Sequence, residues 1–98
     1  MRMMLVGAGA VGESILKILK WRDPKGEWLS YVLVGDYDLS RAEAVAGLLA
    51  DDRFSAVQIN ATDKEQMKSL IREHKIDFVM DAAPPFASNY IFDAAYEA

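Results

Sequence analysis

Hydrophobic positions along this chain alternate between two rhythms. Short, nearly unbroken apolar runs, Met3-Met4-Leu5-Val6 and Tyr31-Val32-Leu33-Val34, suit strands buried on both faces. Between the runs, apolar residues recur at three- and four-residue spacing, which suits helices with one buried stripe. The rhythm predicts strands over residues 2–6, 29–35, 55–59 and 76–80. A first helix is expected over residues 11–21, with Val11, Ile15, Ile18 and Leu19 at helical spacing, ended by the turn cluster Asp23-Pro24-Lys25-Gly26. Ser40-x-x-Glu43 reads as a capping box opening a second helix to about residue 50. Thr62 or Asp63 caps a third helix that ends near His74. Pro84-Pro85 imposes an extended loop, and Ser88 or Asn89 caps a last helix through Tyr96.

Strands alternating with helices imply right-handed crossovers and a parallel sheet. The fold class expected is therefore α/β, a Rossmann-type doubly wound sheet. Its expected strand order is 3-2-1-4.

The chemistry concentrates after the first strand. Gly7-Ala8-Gly9-Ala10-Val11-Gly12 stands between that strand and the first helix. This is the setting in which a GxGxxG pattern serves as a dinucleotide-binding fingerprint. Gly7 allows the tight turn, Gly9 leaves room for a pyrophosphate at the backbone, and Gly12 lets helix and strand pack closely. The free N–H groups and positive end of the helix would face the phosphates.

Asp36 ends the second strand, 24 residues after Gly12. An acid at about 20 residues is the usual ribose contact, and the 23–28 connection supplies the excess. A carboxylate there accepts the ribose hydroxyls and repels a 2′-phosphate, which favours NAD over NADP. Tyr37 can cover a face of the adenine. Arg41 is the nearby cation that could receive a 2′-phosphate, though the first turn of a helix explains it as well. Asp63, in Asn60-Ala61-Thr62-Asp63, can accept from the adenine amino group, a role compatible with capping. Ala82 and Ala83 after the fourth strand would let a ribose or nicotinamide lie against the backbone at the switch point.

Composition narrows the alternatives. A net charge of −4 with eleven scattered basic residues argues against nucleic acid. No apolar run approaches the ~20 residues of a membrane span. The early first strand argues against a signal peptide. The absence of cysteine excludes disulfides, thiolate zinc and a thiol nucleophile. The whole suits the cytoplasm. No metal-ligand cluster, Ser/His/Asp set or paired carboxylate appears, so no catalytic residue is assigned. His74, the single histidine, falls at the far end of the third helix and reads as structural. Trp21 and Trp28 are expected to pack over the domain edge. A complete doubly wound fold has two further strands, so the 98 residues read as the front of a cofactor domain without its substrate domain. Apolar area left uncovered predicts self-association, as a homo-oligomer.

Four stretches, Met4 to Gly12, Asn60 to Asp63, Ile71 to Asp77 and Asp81-Ala82-Ala83-Pro84-Pro85-Phe86, resemble the N-terminal NAD(P)-binding domain of the saccharopine dehydrogenase family. Its relatives include lysine 6-dehydrogenases and carboxynorspermidine dehydrogenases. The Ala-Ala-Pro-Pro-Phe loop is the most specific of these stretches. The resemblance implies an NAD(P)-dependent oxidoreductase acting at a C–N bond of an amino acid or polyamine precursor. It also implies that Gly7, Gly9, Ala10, Val11 and Gly12 lie at the pyrophosphate, Asp36 at the adenosine ribose, Asp63 near adenine, and Ala83, Pro84 and Pro85 at the nicotinamide side. Family members often carry Arg directly after the strand-two acid, where this chain has Tyr37. A different reading makes the chain a non-catalytic nucleotide-sensing module of the potassium-uptake type. A third keeps the fold with an adenosylmethionine-type ligand.

Overall fold

The computed structural model describes residues 1–49, 51–60 and 62–82. In chain order they form β1 (Arg2–Val6), α1 (Ala10–Arg22), β2 (Tyr31–Asp36), α2 (Leu39–Leu49), β3 (Phe54–Gln58), α3 (Lys64–Glu73) and β4 (Phe78–Asp81). The four strands make one parallel sheet in the order β3-β2-β1-β4, as the pattern predicts. Val6 pairs with Gly35 on one side and with Asp81 on the other, so three strands end together. That shared edge carries the candidate site.

The twofold alternation of a strand divides the core into two layers. Met3, Leu5, Val32 and Val34 point to one face, where Leu16 of α1 and Ala42, Val45 and Leu49 of α2 cover them. Met4, Val6 and Leu33 point to the other, where Met67 and Ile71 of α3 cover them. The division follows from topology. The crossovers through α1 and α2 step in one direction along the sheet and α3 steps back, so right-handedness sends α3 to the opposite face.

The buried line of α1 is Gly12 and Leu16, with Ile15 and Leu19 beside it. Val11 and Ile18, expected in the stripe, are 66% and 55% exposed. Close packing at Gly12 sets the rotation of the helix and turns those two outward. The cap of α2 also differs from expectation. Ser40 lies inside the helix, and Asp38 caps it, its carboxylate accepting from Ser40 N at 3.0 Å and its carbonyl from Ala42 N at 3.3 Å. An aspartate just before the first helical residue outcompetes a serine two positions later. For α3 the cap is Asp63, accepting from Gln66 N at 3.1 Å, whereas Thr62 bonds to Asn60 instead.

Trp28 lies against Phe78, ring centroids 6.0 Å apart, but Trp21 does not pack over an edge; it is 78% exposed. It follows Lys20, whose ammonium is held by the Leu49 carbonyl at the end of α2, and its own position faces outward. The expected last helix, with Ser88, Asn89 and Tyr96, lies outside the described residues.

Candidate functional site

Three glycines build the first part of the site, each for its own reason. Gly7 turns the chain out of β1 with φ 103°, a region open in practice to glycine. Its N–H donates to Gly35 O at 2.7 Å, tying the turn to β2. Gly12 packs α1 onto that turn so closely that a Cβ would lie 2.1 Å from Gly7 O. At Gly9 the opposite holds. Its backbone is extended (φ −77°), and a Cβ would meet nothing within 4 Å. The room beside Gly9 is open space in front of a helix end.

That helix end is suited to an anion. Gly9 is the N-cap of α1, and no side chain caps it. A thirteen-residue helix thus presents its first N–H groups, in Ala10, Val11 and Gly12, and its positive end toward the open space. Glu13 follows in the first turn and forms an exposed pair with Lys17 at 3.4 Å, directed along the helix.

Asp36 stands beside this loop. It is the one buried charged residue among those described, 8% exposed. Its Oδ2 accepts from Ala8 N at 2.7 Å and its Oδ1 from Asp38 N at 2.9 Å. Arg41 Nη1 lies 3.9 Å from Oδ2, beyond hydrogen-bond distance, with its side chain 57% exposed. A groove of 730 Å³ opens between the helices next to these groups. It is lined by Ala8, Gly9, Ala10 and Glu13 on one wall and by Arg41, Ala44, Val45 and Leu48 on the other.

The remaining sequence candidates reach the same edge of the sheet. Tyr37 follows Asp36 and is 72% exposed, while its carbonyl accepts from Gln58 Nε2 at 3.2 Å. Asp63 stands at the head of α3 beyond the end of β3, engaged as the cap. Ala82 N donates to Val6 O at 2.9 Å, so the chain leaves β4 beside the end of β1. Ala83, Pro84 and Pro85, expected at the nicotinamide side, lie outside the described residues.

The groove wall of α2, Ala44, Val45 and Leu48, was not visible to motif reading, because these residues resemble any apolar helix face. The bond from Asp36 to Ala8 was equally hidden, since nothing in a sequence pairs positions 28 residues apart.

At the opposite end of the sheet His74 has a structural setting. Its Nδ1 is 3.1 Å from Tyr31 Oη, the two rings stack at 5.9 Å, and its carbonyl accepts from Arg2 Nε at 2.7 Å. The described residues contain no group of three or more His, Cys, Asp or Glu able to hold a metal, and no helix long and apolar enough to cross a membrane.

Known proteins share this fold. Quinate dehydrogenase from Corynebacterium glutamicum, in complex with NAD, superposes with a TM-score of 0.64 at 24% identity, covering 85% of this chain and 27% of that one. The dTDP-glucose 4,6-dehydratase of Bacillus anthracis, also in complex with NAD, gives 0.66 at 13% identity, covering 96% and 29%. Both likenesses concern the fold. The carboxynorspermidine synthase of Vibrio cholerae serotype O1 is 27% identical over 107 residues, which take in all of this chain and 25% of that protein. The chain thus spans about a quarter of the length of the curated relative it matches. The model of the saccharopine dehydrogenase NADP binding domain matches residues 3–98, nearly the whole sequence, and on that match the chain belongs to this family of dehydrogenase nucleotide-binding domains.

Proposed function

We propose that this chain is the cofactor-binding portion of an NAD(P)-dependent oxidoreductase acting on a C–N bond of an amino acid or polyamine precursor, with NAD the preferred cofactor. The observation that carries the reading is the open space at Gly9, set before an uncapped helix end and flanked by the buried Asp36 carboxylate. A pyrophosphate fits the first feature and an adenosine ribose the second. The residues of this chain bind and orient. The N–H groups of Ala10, Val11 and Gly12 receive phosphate oxygens, Asp36 accepts ribose hydroxyls, and Tyr37 covers the adenine. The bound nicotinamide supplies hydride transfer.

The C–N substrate class rests on the resemblance and on the name of the Vibrio cholerae relative. Substrate contacts and catalytic groups would belong to a part of the enzyme beyond these residues, so the isolated chain should bind cofactor without turning over.

The preference for NAD rests on charge. The family is described by NADP, yet a carboxylate at Asp36 would repel a 2′-phosphate on the ribose it accepts, and Tyr37 follows it without a positive charge. Arg41, 3.9 Å from Asp36, is the nearby cation that could compensate. Calorimetric titration with NAD and NADP in parallel tests the reading. Tighter NAD binding, weakened by Asp36→Ala, supports it. Tighter NADP binding reverses the preference, and binding of neither removes the cofactor assignment for this chain.

A further inference from the structure

We infer that Asp36 is a positioning residue for the glycine loop as well as a ribose acceptor, so that one carboxylate couples the adenosine end of the site to its pyrophosphate end. The inference rests on the cofactor reading above for its consequence in binding, and on geometry alone for the clamp itself.

Two bonds from β2 hold the loop. The first, from Gly7 N to Gly35 O, is backbone to backbone and survives any side-chain change. The second, from Ala8 N to Asp36 Oδ2, depends on one side chain. At 2.7 Å it is as short as the backbone bond beside it. The anchor is rigid. Asp36 pairs with Gln58 in the sheet, and its carbonyl accepts from Ile59 N at 2.9 Å. The other oxygen accepts from Asp38 N, and Asp38 in turn caps α2. A chain of contacts therefore runs from the phosphate loop through Asp36 to the head of α2.

Acceptor counting makes the clamp specific to a carboxylate. Two ionised oxygens offer about four lone pairs, enough for Ala8 N, Asp38 N and ribose hydroxyls together. An asparagine offers one oxygen, so one of the two N–H groups would face an NH₂ donor. Ala8 is 2% exposed, which leaves its N–H little access to water in exchange. Without the clamp, Ala8 and the adjoining Gly9 lose the bond that sets the approach to the open space.

Amide hydrogen exchange of the ligand-free chain tests the clamp, comparing wild type with Asp36→Asn and Asp36→Ala. The expected result is exchange of the Ala8 amide about ten- to a hundredfold faster in both variants. The Gly7 amide should hold its protection, which also shows that the variants are folded. Arg41→Ala, which leaves the clamp intact, should not change Ala8. Equal Ala8 protection in wild type and a folded variant overturns the inference. Titration with ADP and with 2′,3′-dideoxy-ADP then reads the coupling. Affinity for the dideoxy ligand should also fall in Asp36→Asn, although it has no ribose hydroxyl to lose. A loss confined to ADP overturns the positioning role and leaves the cofactor reading standing. If the wild type binds neither ligand, the cofactor reading fails, and the exchange result alone decides the clamp.

Discussion

A Cβ on Gly12 would lie 2.1 Å from the carbonyl oxygen of Gly7, whereas one on Gly9, three residues earlier, would touch nothing. The two glycines therefore predict opposite failures. Gly12→Ala forces the head of α1 away from the turn after β1. The obstacle is backbone and cannot rotate aside, so the loss should reach ~3 kcal/mol, the upper range for overpacking. That is a large part of the stability of a small domain. Gly9→Val should leave the fold within about 0.5 kcal/mol of wild type and abolish dinucleotide binding, because only the ligand's space is filled. Urea denaturation beside calorimetric titration separates the two. Retained NAD affinity in Gly9→Val would show that the glycine pattern serves the fold alone.

On the proposed reading, Arg41 sets how far this chain can accept NADP. Its guanidinium is 3.9 Å from Asp36 and largely in solvent, a pair worth ~0–1 kcal/mol to the fold. Arg41→Ala should therefore barely change stability or NAD affinity. NADP affinity should fall about tenfold, as one charge-assisted contact is lost. Equal losses for NAD and NADP would assign Arg41 to the groove wall and not to a phosphate.

Much of this site was legible in the residues because its main constraints are local. The turn at Gly7, the close approach at Gly12 and the acid at the end of β2 are each fixed by backbone geometry near their own position. The strand order followed from the alternation of strand and helix together with the handedness of crossovers. Contacts between distant segments were not legible. The rotation of α1 depends on where Gly12 meets Gly7, so the exposed Val11 and Ile18 passed for core positions. The cap of α2 was misassigned because Asp38 and Ser40 are both good capping residues two positions apart, and only the observed start of the helix at Leu39 selects between them. Trp21 was misplaced for a related reason: aromatic bulk signals burial only where a surface exists to receive it.

The acid arm of the stability curve should trace in part to Asp23 and Asp51, with Arg53 acting chiefly through Asp51. Backbone N–H groups, that of Leu29 foremost, hold Asp23 below its ordinary 3.8 against the opposing effect of burial, and Arg53 at 3.6 Å adds to them. The Arg53 side chain, bonded to Asp51 at 2.9 Å, holds that carboxyl below 3.8 as well. A carboxyl with a depressed folded pKa contributes above its unfolded pKa and loses that contribution as the pH falls through the folded value. Thermal unfolding should thus be insensitive to these groups at neutral pH and weaken below about pH 4. Arg53→Ala should lower stability at pH 7 and flatten the acid arm. An unchanged slope between pH 4 and pH 2 would remove Arg53 from the account.

Ile18, Trp21 and Leu48 leave apolar surface exposed on the side of α1 and α2. The isolated chain should accordingly self-associate as its concentration rises. Light scattering checks this directly, and a monomer with no concentration dependence would contradict it. Trp21→Ser should reduce the association at a stability cost within ~0.5 kcal/mol, since the ring is mostly in solvent.

Tyr37 separates an adenine platform from an idle surface ring. The residue is 72% exposed, and its one described polar contact to a neighbour is through the main-chain carbonyl. Tyr37→Ala removes neither that contact nor any core packing, so the melting temperature should not move. If the ring stacks on the adenine, the loss should be ~1–3 kcal/mol, the range for a base on an aromatic side chain. The loss must follow the base. NAD and ADP should weaken together by about fivefold or more, and nicotinamide mononucleotide, which has no adenine, should not weaken at all. Tyr37→Phe should bind like wild type, because stacking uses the ring and not the hydroxyl. Unchanged ADP affinity in Tyr37→Ala would leave Asp36 and the glycine loop as the whole of the adenosine site on this chain.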